Sequence, residues 1–60
     1  MMQIGQAVQF YDVVFQRHYT GVVVGVDQYS VWSETRFLIK WDDGHRDTWV
    51  AESRLEEPAL

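Results

Sequence analysis

Sixty residues hold one domain and no more, and a chain this short buries only about 60% of the surface that its unfolded form exposes. With no cysteine there is no disulfide, and two histidines alone argue against a structural zinc site. Five basic residues against nine acidic ones, a formal net charge of −4, argue against nucleic acid as the main partner and make a cationic partner the easier one to accommodate.

Something other than disulfide or metal must then hold so small a fold, and nine Phe, Trp and Tyr residues point to a dense aromatic core, an oligomer interface or both. Met1-Met2-Gln3-Ile4 lacks the basic and apolar regions of a signal peptide, and this short segment is expected either to fray or to tuck against a partner subunit. No apolar run in the sequence is longer than the three residues of Val22-Val23-Val24, far too short to span a membrane. The expectation is therefore a cytoplasmic, soluble protein, one domain over residues 1–60 with its core from about 5 to 56 and a frayed tail at 57–60.

Strand-forming residues dominate, and no segment keeps helical spacing for long. A first strand is expected from Ala7 to Tyr11, entered from a turn at Gly5. The following loop, Asp12 to His18, contains Val13-Val14-Phe15, apolar enough that it is expected to fold back onto the body. The second strand, Tyr19 to Asp27, places Val22, Val24 and Val26 on one face and Gly21 and Gly25 on the other. Glycine there lets a strand bend sharply or another backbone come close.

A polar linker from Gln28 to Glu34 carries Tyr29, Val31 and Trp32. The third strand, Thr35 to Trp41, alternates Phe37, Ile39 and Trp41 against Arg36, Leu38 and Lys40. Asp42-Asp43-Gly44 makes a turn with Gly44 available for positive φ. A fourth strand is expected from His45 to Val50, with Trp49 in the core where the sheet closes. A single 3₁₀ turn at Ala51-Glu52-Ser53 and a short strand Arg54-Leu55-Glu56 end the pattern before Pro58. Five short strands with one 3₁₀ turn before the last spell an all-β, SH3-like barrel.

The stretch D-T-W-V-A-E-S-R-L, Asp47 to Leu55, resembles the closing segment of chromo-barrel domains. G-Q-A-V at Gly5–Val8, Y-T-G at Tyr19–Gly21 and R-F-L-I-K-W-D-D-G at Arg36–Gly44 resemble further parts of Tudor and chromo-barrel modules. The W-D-D-G-H hairpin is also similar to one in small uncharacterised bacterial proteins of SH3-like fold. The order of G-x-x-V, aromatic-x-G and V-x-x-S-R-L resembles the single-barrel dihydrofolate reductases too. Their V-Q-I-Y segment has no counterpart at Asp47-Thr48-Trp49-Val50, so no reductase residue is carried over.

The Tudor-type resemblance implies a cage of aromatic faces around a methylated lysine or arginine, a cation over π-systems. Tyr19 and Trp41 match cage positions, Tyr11 supplies a third wall, and Trp32 is needed from the linker to complete it. Asp42, Asp43 and Asp47 stand nearby as supporting carboxylates, although Asp-Asp-Gly is first of all turn chemistry. His18 and His45 lack a third convergent ligand, and no serine sits in a nucleophile motif. Arg54, among Glu52, Glu56 and Glu57, reads as a solvated charge cluster.

The expectation is a non-catalytic binding module without cofactor or metal, recognising a protein or peptide through a cationic or methylated group at an aromatic mouth. A structural role in protein–protein or homo-oligomer contacts is the alternative. An oligomeric enzyme with a shared pore and a nucleic-acid binder rank below both.

Overall fold

The computed structural model describes residues 2–28 and 34–58. Trp32 and its neighbours Tyr29 and Val31 lie outside the described residues, as do Met1 and the last two positions. Five strands follow in order: β1 (Ala7–Asp12), β2 (Arg17–Asp27), β3 (Arg36–Trp41), β4 (Thr48–Ala51) and β5 (Leu55–Glu56). A 3₁₀ turn, Glu52–Arg54, precedes β5, and no α-helix occurs among the described residues. All pairings are antiparallel, and the sheet order is β4-β3-β2-β1-β5. The sheet curls into a half-barrel compatible with an SH3-like barrel, but β4 and β5 remain its two edges. They are four and two residues long.

The curl is made in β2. Its first half, Arg17 to Val22, pairs with β1, and its second half, Gly21 to Asp27, pairs with β3. Only Gly21 and Val22 belong to both ladders. A Cβ on Gly21 would lie 2.6 Å from the Lys40 carbonyl oxygen and 2.7 Å from Ile39 Cγ2. The two backbones approach so closely there that only glycine fits, as the sequence suggests.

Along the rest of β2 the alternation differs from the expected one. Val23 is opposite Ile39, Gly25 is opposite Leu38, and Val24 is left over as a bulge. The extra residue reverses the alternation within the strand. Gly21 and Val23 before the bulge, and Val26 after it, therefore lie on the core side, facing Trp41, Ile39 and Phe37. Val22, Val24 and Val26 do not share one face, and Val24 is 39% exposed whereas Val23 is fully buried.

The core itself is Val8, Val23, Phe37, Ile39, Val50 and Leu55, with Met2, Phe10, Val26 and Trp41 packed against it. Trp49 is not part of it. Two consecutive strand residues point to opposite faces, and Val50 takes the inward position. Trp49 is thus on the outer face opposite Leu38, 48% exposed, with its indole over Gly25.

Strand ends are set by local hydrogen bonds from backbone and side chains. The N-terminal turn closes by the Gln6 amide donating to the Gln3 carbonyl, with Gly5 at φ +91° as the third residue of a type II turn requires. In the β1–β2 hairpin, Asp12 Oδ1 accepts from the amides of Val14 (2.9 Å) and Phe15 (3.3 Å), and Gln16 adopts φ +53°. The strands stay paired as far as Asp12 and Arg17, so the loop is only four residues long. Val13, Val14 and Phe15 do not fold back onto the body: a turn this short leaves them no reach, and they are 67%, 79% and 70% exposed.

β4 begins at Thr48 rather than His45 because Asp43 draws the preceding residues into a turn of their own. The 3₁₀ turn is held from across the sheet. The Glu34 carboxylate accepts from the amide and hydroxyl of Ser53 (3.2 and 3.1 Å), and the Glu52 amide donates to the Thr35 carbonyl.

Two substitutions test this register. Gly21→Ala is expected to lower unfolding free energy by about 2–3 kcal/mol, the cost of overpacking against a backbone that has no room to retreat. Val23→Ala is expected to cost about 2 kcal/mol and Val24→Ala less than about 1 kcal/mol, read from urea midpoints. A larger effect at Val24 than at Val23 would contradict the bulge.

Candidate functional site: an aromatic pocket on the open side of the sheet

The inner face of the half-barrel is not filled to its end. Beyond the core, Phe10 of β1 stands opposite Tyr19 of β2, and Trp41 ends β3 directly opposite Gly21. With no side chain at Gly21, the Trp41 indole reaches across toward β2 and β1. Its ring centroid is 6.1 Å from that of Tyr19 and 6.1 Å from that of Phe10, at steep angles of 67° and 61°. Edge-to-face geometry of this kind suits the ring quadrupoles. His45, from the β3–β4 loop, adds a fourth ring perpendicular to Tyr19 at 5.9 Å. Together with Arg46, Thr48 and Val50 these residues line an open pocket of about 360 Å³.

The loop that shapes its rim is held by a chain of hydrogen bonds. Thr20 Oγ1 donates to Asp42 Oδ2 (2.7 Å), and the Asp42 amide donates back to the Thr20 carbonyl (3.0 Å). Asp43 Oδ1 accepts from the His45 amide (3.1 Å), and Asp43 Oδ2 lies 2.6 Å from His45 Nδ1. An ionised Asp43 can only accept, so this contact puts a proton on Nδ1. Gly44, at φ +87°, allows the reversal between them. On the other side, the Trp41 indole N–H donates to Thr48 Oγ1 (3.3 Å), whose own proton goes to the Arg46 carbonyl (2.9 Å). The ring of Trp41 is thereby anchored at both its apolar and its polar end.

Of the aromatic residues expected at the mouth, Tyr19 and Trp41 are brought together. Tyr11 is not in that group. It follows Phe10 in β1 and so points to the other face, where it packs on His18 at 4.7 Å between ring centroids, and the Gln9 amide group donates to His18 Nδ1. Of the acidic residues, Asp42 and Asp43 build the rim and Asp47 is exposed in the same loop.

Sequence reasoning missed Phe10 and His45. Phe10 was legible: Val8 is core, so the residue two further on shares its face. His45 had no such signal, because only the Asp43 turn returns it toward Tyr19. Arg54 is exposed, as expected, and its guanidinium also lies 5.7 Å from the Phe10 ring centroid.

Among the described residues no three His, Asp or Glu side chains are grouped to hold a metal ion, and no helix is long and apolar enough to cross a membrane. No protein-family model matches the chain, no curated protein matches it in sequence, and no solved structure matches it.

The Asp43 carboxyl is held below its ordinary value of 3.8, first by the His45 amide and then by the His45 imidazole. A carboxyl with a depressed folded pKa stabilises the structure above its unfolded pKa, and that contribution is lost as pH falls through the folded value. A carbon-detected NMR titration is expected to place Asp43 below 3.8, and His45→Ala to move it up. An unmoved Asp43 in that variant would remove the imidazole from the rim network and leave the backbone bond alone.

Proposed function

We propose that this chain is a small non-catalytic binding module of the Tudor or chromo-barrel type, whose aromatic pocket receives a cationic side-chain group of a protein or peptide. The observation that carries this reading is the convergence of Phe10, Tyr19 and Trp41 on one open, solvent-facing space. Rings set steeply to one another make adjacent walls, and a cation among them gains about 0.5–2 kcal/mol per ring. Asp42 and Asp43 at the rim and the net charge of −4 favour the approach of a cation. Arg46 on the same rim favours a peptide in which that cation has an acidic neighbour.

Binding rather than catalysis also suits the Thr48 hydroxyl in the lining. The Thr48 proton is committed to a backbone carbonyl, and its oxygen already accepts from Trp41. A nucleophile needs a base at that proton instead.

Three such contacts at about 1–2 kcal/mol total about 3–6 kcal/mol, and the cost of ordering the ligand lowers that to a dissociation constant on the order of 1–10 mM. Titration with a trimethyl-lysine peptide and its unmodified counterpart is expected to shift the Trp41 indole signal, more strongly for the methylated form. Trp49, on the outer face, serves as internal reference and stays in place. No movement of Trp41 with either peptide at several times that concentration would sink the reading.

A further inference from the structure

A second apolar feature lies close to the pocket, and nothing among the described residues covers it. Val13, Val14 and Phe15 form the tip of the β1–β2 hairpin, each at least 67% exposed. Hairpin tips are usually polar, because turn residues face water. This one is also firmly built, with the Asp12 carboxylate gripping two tip amides and Gln16 in the left-handed region. Its apolar side chains are thus held outward by the turn rather than left outside by chance.

We propose that the tip of one copy occupies the aromatic pocket of a second copy, and that the exchange is reciprocal, giving a two-fold dimer. Size and chemistry fit. The pocket, about 360 Å³, is at the small end of ligand sites (~300–1,000 Å³), so one aromatic side chain and a neighbour suffice to fill it. Its ring walls offer Phe15 the edge-to-face contacts that Trp41 already makes with Phe10 and with Tyr19.

Charge fits as well. The base of the tip carries Asp12 and Arg17, directly opposite one another in the ladder. The pocket is lined by Arg46, and Asp43 of the same loop holds its neighbour His45. Each charge at the tip therefore has an opposite number at the rim.

Position makes the exchange mutual. The Phe10–Tyr19 pair that walls the pocket is only two ladder positions from the Asp12–Arg17 pair that bears the tip. Knob and pocket thus belong to one end of one hairpin, and a two-fold axis beside that end satisfies both contacts at once. A core of six buried side chains among the described residues gives so small a domain reason to bury more.

The inference shares with the preceding reading only the pocket, and the two fail separately. Sedimentation velocity of the whole chain is expected to show a concentration-dependent rise from monomer to dimer. Phe15→Asp is expected to weaken that association at least about tenfold, as loss of a central aromatic contact does, with the circular dichroism of the fold unchanged because the residue is 70% exposed in the monomer. In a mixed sample of labelled and unlabelled chains, isotope-filtered NOEs are expected between Phe15 of one copy and Trp41 of the other.

A wild-type chain that stays monomeric at millimolar concentration overturns the proposal, as does a Phe15→Asp variant that dimerises like the wild type, or a dimer lacking those NOEs. A monomer that still binds the trimethyl-lysine peptide removes the dimer and leaves the binding module. A dimer held through Phe15 and Trp41 that the peptide never displaces does the reverse.

Discussion

The approach of β3 to β2 at Gly21 is the contact on which the rest of the structure depends. The Lys40 carbonyl and the Ile39 side chain occupy the space that a side chain at position 21 would need. That absence lets β2 pass from one partner to the other within two residues, and the change of partner is the curl of the sheet. It also leaves Trp41, paired with Gly21, without a cross-strand side chain beneath it. Its indole extends toward Tyr19 and Phe10 instead, and the pocket is the outcome. One methyl group withheld thus links the backbone topology to the site.

Order at the site comes from polar groups that are themselves exposed. Thr20 and Asp42 extend the β2–β3 pair by one clasp, Asp43 and His45 fold the loop, and Thr48 fixes the indole. No buried side-chain polar atom among the described residues lacks a partner, so the arrangement incurs no desolvation penalty of the kind that unpaired buried groups impose. In exchange, each bond is individually weak in water, and the rim depends on several acting together. A protein of this size has little reserve with which to hold a strained site, and none of these groups requires it.

Fold class, the number of strands and the 3₁₀ turn were legible in the sequence because each has a local cause: alternation, glycine at reversals, and a short polar turn before Leu55. The register inside β2 was not. A run of three valines carries no sign of which one is extra, and a bulge is decided by the partner strand, here by Ile39 and Leu38. Trp49 was misplaced for a related reason, since two adjacent apolar residues compete for one inward position and the larger did not win it. Tyr19 and Trp41 could be picked out at strand positions, whereas Phe10 required knowing that Val8 is core. The exposed tip at Val13–Phe15 ran against the ordinary expectation that apolar residues in a loop find cover.

Nuclear Overhauser spectroscopy of the free protein at low concentration addresses the central claim most directly, since the claim is that one pocket gathers these rings from three strands. The Trp41 indole is expected to give cross-peaks to the rings of both Phe10 and Tyr19, and none to Tyr11 or Trp49. Cross-peaks from Trp41 to Tyr11 or Trp49, or silence toward Phe10 and Tyr19, would place the rings on different faces and contradict the account.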